Sequence, residues 1–215
     1  MNTTKLKKEE LLLYGVLSKG NLSWEAYSEK VKQSIDAGVT IIQLREKNMD
    51  TDSFIELGKK VKKITDEMGI KLIINDNIEV CKEIDCEGIH IGQGDISPIE
   101  ARKVLKEDKI IGLSIQTREH LEKSIGSGVD YYGVGAVFTT ETKVDADNVS
   151  CIALRALSLE SKIPVVAIGG INKSNILQLE GTGIAGVAIV SAIYGAEDTY
   201  EESKTLSNLA KKIIF

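Results

Sequence analysis

Short apolar runs recur along the chain, and each is followed by a longer stretch with polar and apolar residues on a helical period. The runs are 11–17 (LLLYGVL), 39–44 (VTIIQL), 70–74 (IKLII), 88–91 (GIHI), 110–114 (IIGLS), 131–135 (YYGVG), 164–168 (PVVAI) and 185–189 (AGVAI). They are nearly continuously apolar, which is the pattern of parallel strands covered on both faces. The stretch 23–37 places Tyr27, Val31 and Ile35 on one helical face, with Ser23 as a capping residue and Gly38 beyond the end. The stretch 51–67 does the same with Phe54, Leu57, Val61 and Ile64. In 97–106, Ser97, Pro98 and Glu100 spell a capping box with proline at the first helical position. Helices are expected at 77–84, 117–126, 148–158, 172–179 and 197–212 as well.

Strand and helix thus alternate throughout, and no Pro/Ser-rich linker or shift in composition divides the chain. The expectation is one domain over residues 1–215, an α/β protein folded as a compact (β/α)8 TIM barrel; an open doubly wound sheet is the competing architecture. Such barrels carry their chemistry on the loops that follow the strands, so polar residues just after a strand are the candidates.

Composition narrows the field. The formal net charge of -5 argues against a general nucleic-acid binder. No apolar run reaches the roughly 18–20 residues that span a bilayer, so no membrane partner is expected. The N-terminal MNTTKLKKEELLLYGVLSKG has too short an apolar run, and no cleavage site, for a signal peptide, and reads as the first strand. The three cysteines, Cys81, Cys86 and Cys151, suggest reduced thiols and a cytoplasmic location. Cys81 and Cys86 lack the spacing of a zinc site and read as core.

In IIQLREKNMD, Gln43, Arg45 and Lys47 occupy alternate positions of a strand end and so share a face. They form either a solvated strand end, with Glu46 and Asp50 pairing the cations, or an anion clamp. Asn75-Asp76-Asn77 after strand three are either turn formers and caps or ligands. Asp95 follows strand four. Because neighbouring strands lie about 4.8 Å apart, Asp76 and Asp95 can converge, as Mg²⁺ held by carboxylates and substrate phosphates requires. His90 reads as a core histidine and His120 as surface. Thr139, Thr140, Thr142 and Lys143 after strand six suit phosphate oxygens or form an ordinary loop. Gly169, Gly170 and Asn172 after strand seven, with Val190, Ser191 and Ala192 after strand eight, occupy the usual phosphate position of these barrels. Dinucleotide, Walker, zinc and nucleophile-elbow signatures are missing from the sequence.

Together QLREK (43–47), ND (75–76), GIHIGQGD (88–95), GLS (112–114), TETK (140–143), IGGI (168–171) and VAIVSAI (187–193) closely resemble the thiamine-phosphate synthases. The resemblance implies a transferase that joins 4-amino-2-methyl-5-hydroxymethylpyrimidine diphosphate to 4-methyl-5-(2-phosphoethyl)thiazole. Its partners would be small phosphorylated molecules, and a homo-oligomer is compatible with it. The pyrimidine diphosphate would fall to Gln43, Leu44, Arg45, Glu46, Lys47, Asn75, Ser114 and Lys143. Arg45, Lys47, Ser114 and Lys143 would be catalytic, and Asp76 and Asp95 would hold Mg²⁺. The thiazole phosphate would fall to Thr140, Glu141, Thr142, Gly170, Val190 and Ser191. Ala136 and Thr139 stand where such proteins usually have proline, Asn77 where a basic residue is frequent, and Gln116 where many carry histidine. A sister family of thiazole tautomerases, which isomerise with a histidine, is the nearest alternative, and a non-catalytic phosphate-ligand sensor is a second.

Overall fold

The protein is described by a computed structural model that covers residues 5–139 and 149–215. Eight parallel strands close into a barrel in sequence order: β1 (Leu13–Leu17), β2 (Ile41–Leu44), β3 (Lys71–Asn75), β4 (Gly88–Ile91), β5 (Ile110–Ile115), β6 (Tyr131–Val134), β7 (Val165–Ile168) and β8 (Gly186–Ile189). β8 returns to β1, with Tyr14 opposite Ala188, so no sheet edge is left open. The helices between them are α1 (Trp24–Asp36), α2 (Thr51–Glu67), α3 (Ile78–Glu83), α4 (Pro98–Leu105), α5 (Arg118–Ser124), α6 (Cys151–Glu160), the short α7 (Ser191–Tyr194) and α8 (Thr199–Ile214).

The strand alternation divides the core into two layers. Ile42, Leu44, Leu72, Ile74, Ile89 and Ile111 face outward and pack beneath the helices with Phe54, Leu57 and Val61. Tyr14, Ile41, Ile73, Ile110, Tyr131 and Val166 point inward and fill the barrel. Each such side chain contributes roughly 1.5–3 kcal/mol when fully buried. The expected helix starts are local: Ser23, Asp50 and Ser97 accept from the amides of Ala26, Ser53 and Glu100. Cys81 and Cys86 are fully buried in the outer layer, as read.

The structure differs from the sequence reading at two elements. The first strand begins two residues later than expected, at Leu13, because Lys8–Leu11 form a 3-10 turn whose Leu11 joins the interior cluster. The helix expected at 172–179 is reduced to a 3-10 turn over Ile176–Leu179. There Asn172 and Asn175 each donate a side-chain hydrogen bond to the Gly170 carbonyl (3.2 and 2.8 Å), and the Asn172 side chain also accepts from the Ser174 amide. These local bonds compete with helix formation.

Candidate active site

At the mouth where the strands end, a cavity of about 220 Å³ opens into the barrel. Its walls combine Gln43 from β2 and Arg45 just after it, Asn75 from β3, His90 from β4, Ser114 and Gln116 from β5 and its loop, Gly170 after β7, and Val190 and Ser191 after β8. Among the described residues Arg45 forms no ion pair, although it is half-buried. A guanidinium in that position has its planar fork available for an anion.

The alternation expected in QLREK is visible in what each side chain meets. Gln43 and Arg45 turn into the cavity. Leu44 is 0% exposed in the outer layer, so only its backbone could serve a ligand. Glu46 also turns away: its carboxylate accepts from the Lys19 amide at 2.5 Å. Burial pushes that carboxyl above its ordinary range, partly offset by the Lys19 amide. Lys47 lies at the rim and pairs with Asp76. Asp50 does not pair the cations but caps α2.

Asp76 takes a left-handed backbone conformation (φ 61°), a region that short polar residues tolerate better than most. Its amide donates to the His90 carbonyl at 2.9 Å, tying the β3 and β4 loops together. Asp95 reaches back to accept from the Gly92 amide at 2.7 Å. Although Asp95 sits at the exposed rim, desolvation holds its carboxyl above the usual range, the neighbouring Asp76 adds to this, and the Gly92 amide and Lys47 oppose it. The two aspartates therefore do converge. Among the described residues no cluster of three or more His, Cys, Asp or Glu could hold a metal by itself. Two adjacent carboxylates, one of them paired with Lys47, suit a cation that completes its shell with water and ligand phosphates. Asn77, next in line, caps α3 by accepting from Val80 at 3.0 Å.

On the opposite wall Gly170 has φ 63°, and a Cβ there would lie 2.6 Å from the Thr139 carbonyl oxygen. Only glycine lets the β6 and β7 loops approach this closely. Val190 and Ser191 open α7 beside it. Thr140, Glu141, Thr142 and Lys143, all expected at the site, lie outside the described residues.

One part of the site was not read from the sequence. Gln43 Nε2 donates to the Tyr14 hydroxyl (2.8 Å), which meets the Tyr131 hydroxyl (2.8 Å). That hydroxyl meets His90 Nδ1 (2.9 Å), and His90 Nε2 meets Ser114 Oγ (2.9 Å). The expectation of a core histidine is corrected to one that is half-buried in the cavity wall. The available signal was parity: Tyr14, His90 and Tyr131 all fall on inward positions. It becomes legible only when the barrel brings β1, β4 and β6 together.

Fold and site together define a (β/α)8 barrel enzyme type with an anion-receptive mouth. The chain belongs to the thiamine monophosphate synthase family, whose model matches residues 13–193. It is 43% identical over 206 residues to thiamine-phosphate synthase 2 of Streptococcus pneumoniae, covering 96% of this chain and 97% of that one. It is 40% identical over 201 residues to the thiamine-phosphate synthase of Clostridium tetani, covering 94% and 96%. The thiamine phosphate pyrophosphorylase of Pyrococcus furiosus superposes with a TM-score of 0.87 at 33% identity, over 97% of this chain and 99% of that one.

Proposed function

We propose that the protein is a thiamine-phosphate synthase, a transferase acting in thiamine biosynthesis. It would condense 4-amino-2-methyl-5-hydroxymethylpyrimidine diphosphate with 4-methyl-5-(2-phosphoethyl)thiazole to give thiamine phosphate and diphosphate. The observation that carries this reading is one cavity that joins Arg45, unpaired among the described residues, and the polar Gln43, Asn75 and Ser114 to the glycine-lined wall at Gly170, Val190 and Ser191. Its two sides suit two anionic groups, and family membership supplies their identity.

The reaction would be dissociative. The bond between the pyrimidine methylene carbon and the diphosphate oxygen breaks, and its electron pair leaves with diphosphate. The thiazole nitrogen then gives its lone pair to the methylene cation, forming the new C–N bond. No protein nucleophile is required. Arg45, with Lys47 swinging from Asp76, would neutralise charge that grows on the departing oxygens. Lys143 would share that role. Asp76 and Asp95 would hold Mg²⁺, which when bound supplies further charge neutralisation. Gly170, Val190 and Ser191, with Thr140, Glu141 and Thr142, would anchor the thiazole phosphate, making capture of the cation a local event.

The tautomerase alternative needs a proton shuttle. Gln116, which lines the cavity where such a histidine is expected, has no titratable proton at neutral pH. The test mixes both substrates with Mg²⁺ and looks for thiamine phosphate and diphosphate. The expected result is formation of both in equal amounts. Isomerisation of a thiazole carboxylate without diphosphate release, or binding without turnover, would overturn the proposal.

A further inference from the structure

The hydrogen bonds from Gln43 to Ser114 cross the barrel interior as one chain through β2, β1, β6, β4 and β5. Tyr14 and Tyr131 are each 1% exposed, and burial holds both phenols above their ordinary range, so both hydroxyls keep their protons. A phenol has one proton to give. Tyr14 accepts from Gln43 and therefore gives its proton to Tyr131. Tyr131, having accepted, gives its own to His90 Nδ1. With Gln43 Nε2 as the donor at one end, a reversal at any later link would leave a buried hydroxyl proton without an acceptor, a cost of roughly 1–3 kcal/mol. Nδ1 is thus the acceptor nitrogen, the imidazole proton sits on Nε2, and Nε2–H donates to Ser114 Oγ. The Ser114 proton is then not needed by His90.

A second observation is independent of the hydrogen bonds. A Cβ on Gly112 would lie 2.4 Å from the Tyr131 hydroxyl and 2.5 Å from His90 Nδ1, and one on Gly133 would lie 2.9 Å from His90 Cε1. Two inward strand positions are therefore emptied of side chain where this contact passes. A barrel interior filled for stability alone would place branched side chains there.

We infer that Tyr14 and Tyr131 are positioning residues that, through a one-way chain of hydrogen bonds, hold His90 as its Nε2–H tautomer and turn the Ser114 hydroxyl proton into the cavity, towards an acceptor atom of the ligand. The identity of that ligand rests on the proposed function, whereas the tautomer does not. Gln43 and Ser114, each lining the cavity, become the two ends of one device, so their orientations are set together before substrate arrives. Preorganisation of this kind costs no reorientation during the reaction.

The test is ¹⁵N NMR of the full-length protein labelled at histidine, of which the chain has two, His90 and His120. A His120→Gln variant assigns the signals. The unsubstituted protein at neutral pH should show His90 with a protonated Nε2 and a bare Nδ1. A proton on Nδ1 overturns the inference, and this reading needs no variant to fold. Tyr131→Phe should abolish the preference for Nε2–H and lower kcat/KM for the pyrimidine diphosphate about tenfold to hundredfold, chiefly through kcat. Tyr14→Phe should lower it in the same direction. An unchanged His90 spectrum in Tyr131→Phe would also overturn it. Should the protein form no thiamine phosphate while His90 carries its proton on Nε2, the functional proposal fails and the tautomer assignment stands.

Discussion

At the scale of single residues, Arg45 is the position where charge and geometry separate. It lines the cavity and has no ion pair among the described residues. Arg45 belongs to neither layer of the core, and under the proposed function its removal would withdraw a forked donor from the leaving group. Arg45→Ala should lower kcat by about 10²–10³-fold, by analogy with loss of one oxyanion donor, with the unfolding temperature unchanged. Arg45→Lys should recover part of the rate, because it restores the charge but not the bidentate fork. Near-normal turnover of Arg45→Ala in steady-state assays would remove the clamp assignment. Lys47 stands differently: its resting partner is Asp76, so its substitution also leaves that carboxylate without its cation. The sequence made Gln43, Arg45 and Lys47 legible because a period of two needs no tertiary information. Tyr14, Tyr131 and His90 were hidden for the opposite reason. In their own strands they look like ordinary core, and their hydroxyls and ring nitrogens acquire a role only across the barrel, from partners up to 117 residues away.

At the scale of elements, the caps hold most of the local information. In α4, the Ser97 side chain accepts from the Glu100 amide and the Glu100 carboxylate accepts from the Ser97 amide and hydroxyl. The Ser97 hydroxyl, followed by its amide, holds the Glu100 carboxyl below its ordinary range. A carboxylate lowered on folding stabilises the native state above its unfolded pKa, and the contribution is lost as pH falls through the folded value. Glu100→Gln should therefore lower stability at pH 7, and the difference from the unsubstituted protein should begin to shrink as pH falls below about 4.3, the ordinary glutamate pKa. Urea unfolding at pH 7 and pH 3 checks this, and a difference as large at pH 3 as at pH 7 would contradict it. Ser97→Ala should cost about 1 kcal/mol at pH 7 and less at pH 3, because it also removes the hydroxyl that holds the Glu100 carboxyl down. Because caps and helical periods are local, the starts of α1, α2 and α4 were readable to within a residue. The helix expected at 172–179 failed because its asparagines bond to the Gly170 carbonyl, a backbone turn that no periodicity encodes.

At the scale of the whole molecule, the two layers of core stabilise the barrel without help from ligands, while the mouth gathers groups that repel or lack partners. Asp76 and Asp95 crowd each other, and Arg45 has no ion pair among the described residues. Closing a parallel barrel brings those loops together irrespective of their charges, so stability is supplied by the strands and the mouth remains receptive. Pyrimidine diphosphate should therefore raise the unfolding temperature only when Mg²⁺ is present, since the carboxylates otherwise face its anionic oxygens. At 100 times the dissociation constant the stabilisation would be about 2.7 kcal/mol, or roughly 5–10 °C for a domain of this size. With excess chelator the shift should vanish while the ligand-free unfolding temperature stays constant, because no part of the core depends on the ion. Asp95→Asn should weaken the ion's hold and move the Mg²⁺ concentration needed for the shift upward. An equal shift with and without chelator, followed by thermal melts of both proteins, would show that the cations alone bind the diphosphate and that the aspartate pair serves only to tie the β3 and β4 loops.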